Sequence, residues 1–232
     1  MTRFFQYTLR TTDVPAARAF YDAVLGKGEA DIVQLHEQAL ARGARPHWLG
    51  FLQVANVAEA ASAFTARGAT ALGPPWVNPR GLEAAVLRDP GGAVVALAKP
   101  APGPPLASLP EVVWHHLNTP DVERAKANYG ALVAWEFKEP RALADVGELH
   151  PFAWQTGGAE VGSMSDIAQR PNVHPHWLFH FRVTALEPAL EAVRAGGGLT
   201  LPLVTLPNGA RVVVCDDAQG AAFALFEQRQ AE

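Results

Sequence analysis

The feature that most constrains this sequence is an internal repeat. The segment LRTTDVPAARAFYDAVLG (9–26) aligns with LNTPDVERAKANYGALVAW (117–135), so that Asp13 meets Asp121. The same alignment brings a tyrosine of one copy onto a tyrosine of the other. The sequence therefore predicts a tandem duplication, in which two copies of one fold follow each other along the chain.

Two further motifs occur in both copies. The tetrapeptide PHWL stands at 46–49 and again at 175–178, and DPGGAVVAL (89–97) matches DAQGAAFAL (217–225). The offset between the copies grows from 108 at the first motif to 129 at PHWL. The second copy therefore contains about 21 additional residues before its PHWL.

Each copy has the same internal order of secondary structure, used twice. A strand leads into a helix, and short strands with glycine turns follow, which predicts two β-α-β-β-β modules per copy. Asp13 and Asp121 stand in the first-turn or capping region of their helices, where a carboxylate accepts from free backbone N–H groups. The predicted strand–helix pairs are 3–11 with 12–25, 47–54 with 57–67, 112–119 with 120–133, and 176–183 with 186–195.

The additional segment of the second copy is 137–158, and it contains the strand-like stretch HPFAWQ. The first copy has no equivalent of it, so its first module is predicted to lack a hairpin. The proline-rich stretch 100–110 reads as an extended linker, because proline stiffens the backbone and removes donors. The predicted domains are therefore residues 1–99 and 111–232.

Composition excludes several classes of protein. The net charge is −4 with no Lys/Arg stripe, so nucleic acid is not an expected partner. The apolar runs are too short to span a membrane, and the first ten residues lack the apolar stretch of a signal peptide. A single cysteine, Cys215, excludes an internal disulfide. These features predict a cytoplasmic protein with neither nucleic acid nor membrane as a partner.

The paired modules with TTDVPAARAFY, PHWLGF, DPGGAVVAL and DAQGAAFAL resemble the glyoxalase/bleomycin-resistance/dioxygenase superfamily, also called the vicinal oxygen chelate superfamily. The segments WHHLNTPDVERAKANY and PHWLFHFRV are most similar to its two-domain, glyoxalase-like branch. The resemblance implies an α+β fold with two tandem domains. Each domain would pair two βαβββ modules in a curved, partly open mixed sheet with helices outside, the first module of domain 1 being shortened.

The metal enzymes of that superfamily use three ligand positions, and the resemblance places them on particular residues of each copy. A divalent ion there acts as a Lewis acid on two substrate oxygens. Only Gln6 among the six positions could ligate a metal, so neither a metal nor another cofactor is expected. The positions are Gln6, Leu49 and Ala96 in the first copy and Trp114, Leu178 and Ala224 in the second.

Strand alternation in HWLFHFRV predicts a ligand face in the second copy. Successive side chains point to opposite faces, so His176, Leu178, His180 and Arg182 share one face, away from the aromatic face packed on the helices. Arg182 could pair with an anionic group, and His116 and His180 are candidates for acid–base catalysis. The predicted ligand-binding residues are Trp114, His116, Asn118, Trp154, His176, His180 and Arg182.

Three functions stay open at this point. The first is a protein, with or without catalysis, that binds a small organic and possibly anionic molecule in domain 2 without a metal. The second is a metal-dependent lyase, isomerase or oxygenase with relocated histidine ligands such as His116 and His180. The third is a non-catalytic interaction module that forms a homodimer. Structural roles are also open: His47 and His176 could hold the strand entry, and Tyr21 and Tyr129 could serve packing alone.

Overall fold

The structure of the protein is a computed structural model, and the residues it describes form two sheets with helices. The first sheet comes from the first copy and the second sheet from the second copy. Most of the predicted linker lies outside the described residues. The described residues are 1–28, 30–79, 81–101, 111–143, 147–206 and 208–228.

The first sheet has seven strands that run in parallel and antiparallel pairs. The elements of the first copy are β1 (Phe4–Thr11), α1 (Val14–Val24), β2 (Ile32–Gln34), α2 (Glu37–Ala41), β3 (His47–Gln53), α3 (Val57–Ala66), β4 (Thr70–Ala71), β5 (Trp76–Val77), β6 (Glu83–Arg88) and β7 (Val94–Lys99). The strand order is β2-β1-β3-β7-β6-β4, with β5 paired to β6. β1 pairs parallel with β2 and β3 with β7, whereas β6 and β7 are antiparallel.

The second sheet has ten strands and follows the same plan. The elements of the second copy are β8 (Val112–Asn118), α4 (Val122–Val133), β9 (Glu136–Phe137), β10 (Arg141–Leu143), β11 (Gly147–Ala153), β12 (Gly162–Ser165), a 3-10 turn (Ile167–Gln169), β13 (His176–Arg182), α5 (Leu186–Ala195), β14 (Leu199–Thr200), β15 (Val204–Thr205), β16 (Arg211–Asp216) and β17 (Ala222–Glu227). The order is β10-β11-β12-β8-β13-β17-β16-β14, with β15 on β16 and β9 on β11. No described helix is both long and apolar enough to cross a membrane.

The predicted modules are confirmed. In the second copy β8 pairs parallel with β12, and an antiparallel hairpin of β10 and β11 continues the sheet beyond β12. In the described part of the first copy, β1 pairs parallel with the short β2, and no such hairpin follows. The first module of the first copy is thus shortened, as the missing residues predicted.

The predicted caps are also present. The Asp13 side chain accepts from the Ala16 N–H at 3.0 Å, and the Asp121 side chain accepts from the Arg124 N–H at 3.0 Å. Each carboxylate satisfies a donor that the helix itself leaves unpaired. The repeated aspartate therefore starts α1 and α4 at equivalent places.

The chain divides into two compact units, and each takes segments from both copies. The helix pairs follow this division, since α3 contacts α4 in unit 1 and α1 contacts α5 in unit 2. The predicted domains follow the two sheets instead, and their limits stay a prediction. Unit 1 comprises Met1–Gln6, Gly50–Pro105 and His115–Trp177, and unit 2 comprises Tyr7–Leu49, Leu106–Trp114 and Leu178–Glu232, apart from the undescribed residues within these ranges.

A buried hydrogen-bonded chain of tryptophan, tyrosine and aspartate lies in each unit. In unit 1 the Trp177 Nε1–H donates to the Tyr129 hydroxyl at 3.3 Å, and that hydroxyl donates to Asp89 Oδ2 at 3.1 Å. The other oxygen of Asp89 accepts from the Ala93 N–H at 2.9 Å, which closes the DPGG turn. Tyr129 was predicted from its helix position to serve packing alone, but its hydroxyl also joins Trp177 to Asp89 by hydrogen bonds.

Unit 2 repeats this arrangement with the equivalent residues. The Trp48 Nε1–H donates to the Tyr21 hydroxyl at 3.0 Å, and Tyr21 donates to Asp217 Oδ2 at 3.1 Å. In both units the tyrosine and tryptophan come from one copy and the aspartate from the other. The repeated PHWL, tyrosine and Asp-x-x-Gly motifs thus meet in space, and we name these arrangements the Trp–Tyr–Asp chains.

Replacing Tyr129 by Phe should lower the free energy of unfolding by about 2 kcal/mol, because the buried Asp89 loses a donor and the Trp177 N–H loses its acceptor. Urea unfolding of Tyr129→Phe measures this. Tyr21→Phe should cost a similar amount, since unit 2 has the same geometry. Val77→Ala, at a side chain 66% exposed, is the control that should change little. A cost for Tyr129→Phe no larger than that of the control would contradict the role given to the hydroxyl.

Candidate functional site

His116 lies on β8, with a serine hydroxyl at each of its ring nitrogens. The parallel pairing of β8 with β12 sets Ser163 opposite His116 and Ser165 opposite Asn118. The His116 Nδ1 is 2.8 Å from Ser163 Oγ, and its Nε2 is 2.9 Å from Ser165 Oγ. A neutral imidazole has one donor and one acceptor nitrogen, so one serine accepts and the other donates.

Asn118 joins this group to His176. The Asn118 Nδ2 is 3.2 Å from His176 Nε2, and His176 Nδ1 is 2.8 Å from the His174 carbonyl oxygen. The carbonyl can only accept, so Nδ1 carries the proton and Nε2 accepts from Asn118. We name His116, Asn118, Ser163, Ser165 and His176 the histidine row, and all five belong to unit 1.

The predicted strand-entry role of the repeated histidine is confirmed in both copies. His176 Nδ1 bonds the carbonyl two residues earlier, and His47 Nδ1 is 2.7 Å from the Arg45 carbonyl oxygen. In each case the ring closes the turn that leads into the strand. His176 therefore has a structural bond at one nitrogen and a contact within the histidine row at the other.

The histidines of the row are neutral at pH 7. Burial, followed by the nearby His176, lowers the pKa of His116 from 6.5 to about 4, although a hydrogen bond from Asn118 opposes the shift. Burial also lowers the pKa of His176 to about 4, although its bond to the His174 carbonyl opposes the shift. The row is thus a set of uncharged groups that can donate and accept hydrogen bonds.

Trp154, which was expected to wall the same pocket as His116, packs against His115 and Trp135. Its ring is 4.9 Å from that of His115 and 4.9 Å from that of Trp135. Successive residues of β8 point to opposite faces, so His115 and His116 cannot share one. Trp154 therefore belongs to an aromatic cluster of unit 1, comprising Phe4, His115, Tyr129, Trp135, Phe152, Trp154 and Trp177.

His115, which the sequence reasoning passed over, is a central member of this cluster. Its ring stacks on Phe4 with 5.2 Å between centroids, and its Nδ1 is 2.8 Å from the Val161 carbonyl oxygen. Burial lowers the pKa of His115 to about 4. Strand alternation could have identified His115, because the odd-numbered residues of β8 face the helices.

The other predicted ligand residues, Trp114, His180 and Arg182, belong to unit 2. Trp114 and His180 are half-buried, and His180 stands in register with Ala224 of β17. Arg182 is exposed, and its Nε donates to Glu111 Oε2 at 2.6 Å. The anionic partner expected for Arg182 is therefore supplied by the protein itself.

The sheet face around Leu178 is apolar. Leu178 and Ala224, two of the positions that the family pattern assigns to metal ligands, lie together in one buried cluster with partly buried apolar neighbours. Within the described part of the chain, no group of three or more His, Cys, Asp or Glu side chains could hold a metal ion. The cluster consists of Leu178, Ala210, Val212, Ala224 and Phe226, with Val113, Leu206, Val214 and Ala222 packed against it.

Arg10 of β1 is a second group that the sequence reasoning did not select. It is half-buried, and its Nε has no hydrogen-bond partner among the described residues. Burial lowers the pKa of the Arg10 guanidinium below its ordinary value. Alternation places Arg10 on the same face of the strand as Gln6, but only the fold decides how far such a side chain is covered.

Comparison with known proteins gives relatives of similar length. No protein-family model matches the chain. The chain is 26% identical, over an alignment of 244 positions, to the Mycobacterium bovis protein named "Putative glyoxylase CFP32", covering 94% of this chain and 92% of that protein. The alignment therefore spans both copies.

Solved structures share the fold at low identity. The Mn(II)-bound glyoxalase from Novosphingobium aromaticivorans matches with a TM-score of 0.63 and 12% identity, over 99% of this chain and 84% of the other. A substrate complex of homoprotocatechuate 2,3-dioxygenase from Brevibacterium fuscum matches with a TM-score of 0.65 and 13% identity, over 98% and 81%. Such identities show a common fold, on which different activities are built.

Proposed function

Because the chain has the vicinal oxygen chelate fold of glyoxalases and extradiol dioxygenases, we propose that it binds a small organic molecule at the histidine row without a metal ion. The observation that carries the proposal is the row itself. Five polar side chains are gathered on neighbouring strands and bonded mainly to each other. Buried polar groups that are fully paired add specificity and can exchange one partner for a ligand oxygen.

The charge state of the row decides the class of ligand. His116 and His176 are neutral at pH 7, and the serines and Asn118 have no charge. Arg182 is already paired with Glu111, so it does not favour an anion here. The row therefore fits a neutral molecule with neighbouring hydroxyl or carbonyl oxygens, and the half-buried His176 is the end of the row that a ligand reaches first.

The residues do not fit the divalent ion of the metal-dependent members. Leucine and alanine at positions 178 and 224 offer no lone pair, and both belong to an apolar cluster. Both nitrogens of His116 are hydrogen-bonded to serines. A histidine with a pKa near 4 is also a weak base at neutral pH, which supports binding rather than acid–base catalysis by His116.

That the protein forms a homodimer stays a prediction.

The test titrates ¹⁵N-labelled protein with two neutral probes, catechol and hydroxyacetone, and with the anion 3,4-dihydroxyphenylacetate. The amides of Ser163, Ser165 and Asn118 should shift and saturate with a neutral probe, and Ser165→Ala should weaken binding about tenfold through loss of one hydrogen bond. Ser62→Ala on the exposed face of α3 is the matched control and should leave the affinity unchanged.

Elemental analysis of the same preparation distinguishes the proposal from the metal-dependent alternative. Substoichiometric metal together with saturable probe binding supports the proposal. A divalent ion retained at about one per chain and lost in His116→Ala would overturn it. Amide shifts confined to residues outside the histidine row would overturn it as well.

A further inference from the structure

A cavity of about 110 Å³ lies in unit 1 beside the start of α4. Its polar lining includes Thr119, Arg67 and Arg124, and Gly91 of the DPGG turn also lines it. Phe64 and Leu132 supply apolar walls. It involves none of the histidine row, and we name it the Thr119 cavity.

Unit 2 shows what fills the equivalent place. The Gln219 Oε1 accepts from the Thr12 N–H at 3.1 Å, from the Asp13 N–H at 2.9 Å and from the Thr12 hydroxyl at 3.0 Å. The Thr11 hydroxyl also donates to it, and Gln219 Nε2 donates to the Asp13 carbonyl oxygen at 3.1 Å. A carboxamide of the protein thus occupies the place where α1 begins.

The repeat makes the correspondence direct. DAQG (217–220) aligns with DPGG (89–92), so Gln219 corresponds to Gly91. Thr11 corresponds to Thr119 and Asp13 to Asp121 at the offset of 108. Unit 1 therefore keeps Thr119 and Asp121, but none of its described side chains occupies the position that Gln219 takes in unit 2.

The Thr119 hydroxyl and the Arg124 guanidinium of unit 1 have hydrogen-bond donors that are not used by any described residue. Thr119 is 1% exposed, and its hydroxyl receives only a long contact of 3.4 Å from the Asp121 N–H. Within the ranges that the structure describes, the hydroxyl proton of Thr119 has no acceptor, and the Arg124 guanidinium makes no hydrogen bond or ion pair. A buried hydroxyl without an acceptor costs free energy that a bound oxygen would recover.

Gly91 also keeps the cavity open. A Cβ at Gly91 would lie 2.6 Å from Thr119 Oγ1, so a side chain there would displace the threonine. A glutamine like that of unit 2 therefore cannot be accommodated without rearrangement. The space is open to a group from outside the chain.

Two substitutions between the units change the charge of the site. Arg124 of unit 1 aligns with Ala16, and Arg67 aligns with Gly196. Thr12, a donor to Gln219, aligns with Pro120, which has no N–H. Unit 1 thus replaces a neutral backbone donor by a guanidinium at the positive end of a helix, where an anion is favoured.

The carboxylates that line the cavity are already engaged. Asp89 accepts from the Tyr129 hydroxyl and the Ala93 N–H, and Asp121 Oδ1 accepts from the Arg124 N–H. Arg67 donates to Asn128 Oδ1 and the Ala127 carbonyl oxygen. Arg124 is the one charged lining group without a described partner.

We propose that the Thr119 cavity binds the carboxylate of a small organic acid, at the position that Gln219 occupies in unit 2. One carboxylate oxygen accepts from the Thr119 hydroxyl and the Asp121 N–H, and the other faces Arg124. A short apolar tail then packs against Phe64 and Leu132. The cavity volume limits the tail to a few carbon atoms.

The first test titrates ¹⁵N-labelled full-length protein with sodium propionate at constant ionic strength, with sodium chloride and propionamide as comparisons. Propionate should shift the Gly91 and Asp121 amides saturably, with millimolar affinity as a ligand of this size allows. Sodium chloride should have no such effect, and propionamide should bind more weakly. Equal shifts with sodium chloride, or propionamide binding at least as tightly, would overturn the proposal.

The variants use the other unit as a guide. Arg124→Ala, which copies Ala16, should weaken propionate about tenfold and leave propionamide nearly unchanged. Thr119→Val should weaken both ligands. Arg88→Ala, at an exposed arginine of β6, is the charge-matched control. Propionate binding that Arg124→Ala and Thr119→Val leave unaltered would overturn the proposal.

Opening the equivalent place in unit 2 gives an independent test. Gln219→Gly should add a saturable response to propionamide at the Thr12 and Asp13 amides, because their donors lose the carboxamide that they now bond. The unaltered protein should give no response there. Failure of Gln219→Gly, verified as folded, to bind propionamide at these amides would overturn the equivalence on which the proposal rests.

Discussion

Residues 1–101 and residues 111–232, expressed separately, are each expected not to fold to a cooperative native state. In the first half, Tyr21 would lose Asp217 and Phe223, and Trp48 would lose Phe181, whose ring is 4.7 Å away. Phe4 would lose Trp177 at 5.0 Å. Uncovering three or four buried aromatic side chains costs roughly 8 kcal/mol, which is comparable with the whole stability of a domain, about 5–15 kcal/mol.

The measurement is urea unfolding followed by near-ultraviolet circular dichroism. Neither half alone should show a cooperative transition, whereas the two halves mixed or co-expressed should associate one to one and recover it. The control is the full chain with a protease site inserted within 102–110, which should stay folded after cleavage. A cooperative transition in an isolated half would contradict this expectation and would make the predicted domains 1–99 and 111–232 independent folding units.

Stability should fall steeply as the pH is lowered from 7.5 to 5, because His115 and His116 are buried and uncharged. Their pKa values are about 4 in the folded protein, against 6.5 when unfolded. Between these values the unfolded chain binds more protons than the folded chain, so protonation favours unfolding. Each histidine should cost about 2 kcal/mol over this range, and about 4 kcal/mol for both.

Because the pKa of each histidine is lower in the folded protein than in the unfolded chain, stability falls as the pH is lowered. Above pH 6.5 both states are neutral and the stability is at its full value; below it, stability is lost until the pH passes the folded-state pKa near 4. His176, whose pKa burial also lowers to about 4, should add a loss of the same sign. Asp89, whose pKa burial raises above 3.8, opposes the trend at the acid end.

The measurement compares urea unfolding free energies at pH 7.5, 6 and 5 for three proteins. His116→Asn removes one titrating ring and should reduce the loss between pH 7.5 and 5 by about 2 kcal/mol. His115→Phe keeps the aromatic stack on Phe4 and should reduce it by a similar amount. The slope is compared rather than the absolute stability, so a general cost of either substitution cancels. A slope identical in all three proteins would show that neither histidine is responsible.

Local features were predictable because their causes lie within a few residues. Asp13 and Asp121 cap helices that begin at the next residue, and His47 and His176 bond carbonyl oxygens two residues earlier. The duplication also made the modules predictable, since each could be compared with its counterpart. Alternation placed His116, Asn118 and His176 on one face, and the structure brings them together.

Contacts between distant segments were not predictable in the same way. Tyr21 and Asp217 are 196 residues apart, and nothing in either segment identifies the other as its partner. Trp154 follows a hairpin with no counterpart in the first copy, so the repeat could not place its side chain. Arg182 shares a face with His176 by alternation, but its partner Glu111 became clear only once the strands were paired.

The exchange of aspartates between the copies has a consequence for how such a sequence can change over generations. A substitution at Asp217 removes the hydrogen-bond acceptor of a tyrosine in the first copy, and one at Asp89 removes the acceptor of a tyrosine in the second. Selection therefore acts on residue pairs that span the duplication, and neither copy is free to drift as a spare. Gln219 of the second copy likewise bonds Thr12 and Asp13 of the first, so a substitution there also acts across the duplication.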